Sequence, residues 1–272
     1  MSAPFPEQHI LQKVTCNQSS QRLTNTMLNK TFESMGTVVS VSYYEGISQE
    51  EASNVTKEVF LIFDRFDREF STYREGSFIS RINAKLNEPL DISDEAIQIF
   101  ELAEQYRLLT DGYFDIITPE GMTDPSGIVK AFAIKETGLH LDSCGVTDWC
   151  INAGGDILIS NTAGLHAGIV NPFSRKELIS DVVLNAPLLS LATSGFSERG
   201  NHIWNPKEST SDVIQASVIS DDIVFSDIMA TAIIACGTSS LQWIEAKANA
   251  EALLIKKDGS FLVTGGYLAL VP

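Results

Sequence analysis

From Trp149 onward, six short β-leaning runs follow one another with only turn residues between them: WCIN, DILIS, HAGIV, LISDVVL, LLSLATS and VIQASVI. Gly, Pro, Asn and Ser turns separate them. Parallel strands need long crossovers, usually helical, so strands grouped in this way point to an antiparallel sheet. The helical signals lie on either side of the group. Before it, Val55, Val59, Ile62, Phe66 and Phe70 recur at helical spacing behind a capping box formed by Ser48 and Glu51. A second helix is expected from about Ser93 to Thr110, with Gly112 just past its end, and a third over GIVKAFAIKET, stopping before Gly138. After the strands, helices are expected at 226–236 and about 239–248, with EALLIKK and FLVTGGYLAL as closing strands. GTVVSVSYYEG (36–46) reads as the first strand. The fold class is therefore α+β, with largely antiparallel sheets and packed helices.

The chain has 272 residues, enough for a substantial core, and carries a net charge of −16 from 35 acidic and 19 basic residues. That balance excludes a broad basic footprint for nucleic acid or anionic lipid. Cys16, Cys144, Cys150 and Cys236 form no C-x-x-C pair, so a thiolate zinc site is not expected and reduced thiols are. The four histidines include no H-x-x-x-H pair, which argues against a histidine metal site. Residues 1–30 are polar and without an apolar run, which reads as a flexible tail ahead of a single domain over 31–272. With no segment long enough to span a bilayer, the expectation is a cytoplasmic protein without membrane insertion.

Several segments carry polar groups without an obvious structural need. In FSDIMATAIIACG, Asp227 and Thr231 are four residues apart on a nearly all-apolar helix, and so share one face. One reading is a helix cap and a hydroxyl bonded back to the preceding turn. The other is a hard cation, because a carboxylate and a hydroxyl are both oxygen ligands that magnesium accepts. TDPSGIVKAFAIK offers either a capping Asp124 or Ser126, or a helix N-terminus and a lysine suited to phosphate. INAGGDILIS places paired glycines between two strands, either a plain hairpin turn or a tight backbone turn beside a ligand. His202, in the polar loop ATSGFSERGNHIWNP, is the histidine best placed for acid–base work.

Taken in order, these segments resemble the FAD:protein FMN transferases, the ApbE family. The likeness runs through ESMGTVVSV, FDREFSTYREGSFISRIN, TDGYFDI, DPSGIVKAFAI, INAGGDI, ATSGFSERG, HIWNP and SDIMATA, covering about residues 32 to 265. The resemblance implies a tunnelling-fold (T-fold) architecture with two lobes around a cofactor cleft. It implies magnesium-dependent transfer of FMN from FAD to a threonine hydroxyl of an acceptor flavoprotein carrying a threonine-containing motif, with release of AMP. By position, it implies that Met35 and Tyr73 pack on the rings of FAD. Phe114, Asp115 and Ile116 are expected to bind it largely through backbone groups, with Asp124, Lys130 and Trp204 also in contact. It further implies magnesium held by the carbonyls of Gly127 and Ala230 and the side chains of Asp227 and Thr231, and His202 as general base.

Three positions depart from the family pattern: Ala131 follows Lys130 in place of glycine, Lys135 stands where an acid is usual, and Asn205 replaces an aspartate in HIWNP. An amide at Asn205 bears on the strength of His202 as a base. The alternatives left open are hydrolysis of FAD to FMN and AMP, and FAD binding without turnover.

Overall fold

The structure is a computed structural model and describes residues 14–15, 27–44, 46–85, 91–161, 164–195 and 211–272. Its strands are β1 (Val14–Thr15), β2 (Leu28–Ser34), β3 (Thr37–Tyr43), β4 (Trp149–Ala153), β5 (Asp156–Ile159), β6 (Leu165–Asn171), β7 (Ser174–Leu184), β8 (Ser190–Gly195), β9 (Val213–Ser220), β10 (Ala250–Lys256) and β11 (Phe261–Val263). The helices are α1 (Gln49–Phe70), α2 (Phe78–Asn83), α3 (Asp94–Leu109), α4 (Ser126–Ser143), α5 (Ile223–Cys236) and α6 (Leu241–Glu245). All six grouped runs form strands, β4 to β9, and every strand pairing among the described residues is antiparallel. The α+β class with largely antiparallel sheets is thus what the chain adopts.

Eight strands make one sheet in the order β11-β10-β9-β8-β5-β4-β3-β2, and β1, β6 and β7 make a smaller one. Alternation along the strands divides the large sheet's side chains between two cores. Ala252 and Leu254 of β10, Val41 of β3 and Ile151 of β4 join the helical core built by α1, α3, α4 and α5. Leu253 and Ile255 of β10, with Ile157 and Ile159 of β5, instead meet Leu165, Ala167, Val182 and Leu184 of the small sheet. The large sheet is buried on both faces, which is why its central strands read as continuous apolar runs.

Local chemistry explains most element boundaries. The Ser48 hydroxyl accepts from the Glu51 N–H at 3.2 Å and the Glu51 carboxylate accepts from the Ser48 N–H at 2.9 Å, completing the capping box of α1. Those bonds hold the Glu51 carboxyl below its ordinary range. Ser93 caps α3 through the Ala96 N–H at 3.0 Å. Gly154 and Gly155, both at positive φ, turn β4 into β5 as the paired glycines imply.

Five expectations need correction. β2 was hidden at the edge of the polar tail; it pairs with β3 along its whole length through a turn at Met35 and Gly36, both at positive φ. Within the same expected tail, Val14 and Thr15 pair with β6. α4 does not stop before Gly138 but runs on to Ser143, because Gly138 serves close packing rather than termination. The last segment is not one strand. After β11 a 3₁₀ turn spans Tyr267–Leu270, started where the Glu251 carboxylate accepts the Gly266 N–H at 3.0 Å. The helix expected over 239–248 is shorter, a 3₁₀ turn at Thr238–Ser240 followed by α6.

Gly138 yields a prediction whose sign rests on magnitudes. A Cβ there would lie 2.9 Å from the Trp149 ring and 3.0 Å from Leu158. Alanine would gain about 1 kcal/mol in helix propensity, whereas overpacking costs about 1–3 kcal/mol. Gly138→Ala is therefore expected to lose about 1 kcal/mol net in urea unfolding, where an open helix site would gain stability.

Candidate active site

The site forms where α4 and α5 meet the edge of the β4–β5 hairpin. α5 is buried almost all round, as its apolar sequence requires, and is capped by Asp222, whose carboxylate accepts the Val224 N–H at 3.1 Å. Asp227 is therefore not the cap: it lies a turn inside the helix, 5 % exposed. Among the described residues, Thr231 on the same face places its hydroxyl 3.1 Å from that of Ser194 at the end of β8.

Lys130 of α4 links the two sides of this region. Its ammonium pairs with the Asp156 carboxylate and stands 3.8 Å from Asp227 Oδ2. Lys130 is 9 % exposed and Asp156 1 %, so three charges from three elements are held out of water. The second Asp156 oxygen accepts the Thr193 N–H at 3.3 Å, tying β5 to β8. Thr193 and Ser217 hydroxyls lie 2.8 Å apart beside it. Counted alone, the two carboxylates and one ammonium carry one net negative charge. Such a set does not attract a pyrophosphate by itself; it suits a cation that then recruits the anion.

The donor set fits magnesium. The side-chain donors of Asp227, Thr231 and neighbouring Ser194 are all oxygens, the ligand type a hard divalent cation takes. Gly127 and Lys130 are three residues apart on α4, so both face this region. A Cβ on Gly127 would lie 3.3 Å from the Phe114 ring, a close approach that leaves its backbone uncovered by any side chain of its own. The buried backbone of Ala230 sits between Asp227 and Thr231 in sequence.

The 114–124 segment is closed by its own bonds. The Phe114 N–H donates to Thr110 Oγ1 at 3.0 Å, the Asp124 N–H to the Ile116 carbonyl at 2.7 Å, and the Ile117 N–H to Asp115 Oδ1 at 2.8 Å. Asp124 Oδ1 accepts the Ser126 N–H at 3.0 Å where α4 begins. Asn83 clamps both backbone groups of Thr123 at 2.8 Å. Phe114 and Ile116 are buried, while Asp115 and Asp124 are half-buried.

The residues expected from the sequence thus divide. Phe114, Gly127, Lys130, Asp227, Ala230 and Thr231 are brought together by α4 and α5. Met35 sits half-buried in the β2–β3 turn, and Tyr73, 91 % exposed, projects from the loop after α1. His202, Trp204 and Asn205 lie outside the described residues. Of the departures, Ala131 is fully buried, and Lys135 reaches Asp222 at 3.6 Å, pairing with the cap of α5. Nearby, burial first and then the Asp222 and Asp221 carboxylates push the Tyr106 phenol well up.

Asp156 and Ser194 are the functional candidates that sequence reasoning missed. The signal for Asp156 was present: an acid opening the otherwise apolar strand DILI directly after two glycines. Nothing local showed that Lys130, 26 positions earlier (156 − 130), was its partner.

Fold and site together define a class: an antiparallel α+β protein with a buried lysine–carboxylate set at a helix pair beside a β-hairpin. The ApbE family model matches residues 35–122 and 117–254, and the chain belongs to that family. A FAD:protein FMN transferase of Chlamydia muridarum is 24 % identical, covering 70 % of this chain and 78 % of the relative. One from Vibrio cholerae serotype O1 is 20 % identical, covering 84 % and 87 %. Among solved structures, the Vibrio cholerae flavin transferase ApbE aligns with a TM-score of 0.77 at 18 % identity, over 90 % of this chain and 99 % of that one. The ApbE protein of Thermotoga maritima aligns with a TM-score of 0.78 at 17 % identity, over 91 % and 100 %.

Proposed function

We propose that this protein transfers FMN from FAD to a threonine hydroxyl of an acceptor flavoprotein and releases AMP. The observation that carries the reading is the juxtaposition of Lys130, Asp156, Asp227 and Thr231 within a fold shared with flavin transferases. In the reaction, the acceptor threonine oxygen forms a bond to the FMN-side phosphorus. The bond from that phosphorus to the bridging oxygen breaks, and AMP leaves with that oxygen. The hydroxyl proton passes to a base, for which His202 is the candidate.

Magnesium, held by the Asp227 and Thr231 side chains and the Gly127 and Ala230 carbonyls, would neutralise charge on the pyrophosphate. The chain's own groups do the rest. Lys130 holds Asp156 and stands beside Asp227, so the carboxylate is set in place before substrate arrives. The buried body of α5 keeps Asp227 and Thr231 in register, one turn apart. The Ser194 hydroxyl orients that of Thr231. Met35, Tyr73, Asp124, Lys130 and Trp204 are proposed contacts to FAD, with Phe114, Asp115 and Ile116 contributing largely backbone groups.

The test follows both products from FAD, magnesium and a threonine-motif acceptor: AMP by chromatography and acceptor-bound FMN by in-gel fluorescence. Equal amounts of the two support transfer. AMP at full rate with no labelled acceptor would instead make the protein an FAD pyrophosphatase, and bound FAD with neither product would make it a carrier.

A further inference from the structure

At its far end from Lys130, α4 carries a second group of metal-ligating side chains. His140 and Cys144 are four residues apart and so lie on one face. Glu58 reaches them from α1. His140 Nε2 is 2.9 Å from Glu58 Oε2 and 3.6 Å from Cys144 Sγ, and one donor atom from each residue lies within 4.8 Å of the other two. The pair escaped both sequence tests, being neither C-x-x-C nor H-x-x-x-H. Lys130 and His140 are ten residues apart (140 − 130), about 15 Å along the helix, so the group is separate from the proposed flavin site.

We propose that Glu58, His140 and Cys144 form a three-ligand site for a borderline transition-metal dication, Zn2+ being the fitting ion. Zinc bonds of about 2.3 Å to sulfur and 2.0–2.1 Å to nitrogen, at a tetrahedral angle, set the two donors about 3.5 Å apart. The sulfur and nitrogen already stand at 3.6 Å. The glutamate oxygen requires about 3.4 Å from the nitrogen, against 2.9 Å here, and its exposed side chain has room to give. An ion pair with His140 accounts for Glu58 alone; it leaves unexplained a thiol turned toward the same nitrogen. A sulfur–nitrogen–oxygen set is one that magnesium does not favour, so this site and the oxygen site on α5 would sort their ions by ligand chemistry. The fourth position falls to solvent. The bound ion would clamp the C-terminal end of α4 to α1, with the thiol giving up its proton on binding.

The test uses the whole protein and Zn2+ alone, with excess Mg2+ present throughout. One equivalent is expected to bind and to raise the melting temperature. Cys144→Ser, at an exposed position, and His140→Ala, at a half-buried one, are each expected to weaken binding more than about tenfold and abolish the rise. Replacing zinc by Co2+ should give a thiolate-to-cobalt charge-transfer band that Cys144→Ser removes. Equal zinc affinity in all three proteins, or a cobalt–thiolate band that persists in Cys144→Ser, overturns the proposal. Either result would leave an ordinary ion pair beside a free thiol.

Discussion

Asp227→Asn is expected to lower magnesium-dependent FAD cleavage by about 100-fold or more, the scale seen when one preorganised group that stabilises transition-state charge is removed. The amide keeps the size of the side chain but supplies only a neutral oxygen to a hard cation. Because Asp227 sits inside α5 rather than capping it, the helix keeps its Asp222 cap and the fold should survive. The loss should ease as magnesium concentration is raised, which separates a weakened metal site from a damaged fold. Activity retained at unchanged magnesium would return Asp227 to a packing role.

Lys130→Met is expected to act mainly on stability. It removes the ammonium that faces Asp156 and Asp227, both almost wholly buried. Breaking a buried pair by deleting one partner costs about 3–5 kcal/mol, and for a chain of this size that lowers the melting temperature by about 10 °C. Adding Asp156→Asn should recover part of the loss, since the second change removes a charge that the first left stranded. A double-mutant cycle measures the coupling. An unchanged melting temperature in Lys130→Met would show that the ammonium is not the electrostatic centre of this helix pair.

Much of this fold could be read in advance because its elements announce themselves locally. The capping box of α1, the glycine turn between β4 and β5 and the run of short strands each depend on neighbours in sequence. What escaped depends on neighbours in space. Gly138 looks like a helix stop, and only the Trp149 and Leu158 side chains across the interface show why a glycine is needed mid-helix. β2 looks like part of a polar tail because its half-buried face, Leu28, Lys30, Phe32 and Ser34, alternates in burial but offers only two large apolar side chains. The side chains proposed to hold the metal, Asp227 and Thr231, were legible as a pair sharing one helix face. Asp156 and Ser194 were not, because the contacts that recruit them join residues 26 and 37 positions away. The same blindness hid the His140–Cys144 pair, whose third member arrives from α1.

The central claim is that Asp227 and Thr231 hold the cation on which FAD cleavage depends. Crystals of the protein grown with FAD and Mn2+ in place of Mg2+ test it most directly, through the anomalous signal of manganese. The account places one manganese peak within about 2.5 Å of both Asp227 Oδ and Thr231 Oγ1, beside the FAD pyrophosphate. Bound FAD with the ion elsewhere, and Asp227 engaged only by Lys130, would contradict it.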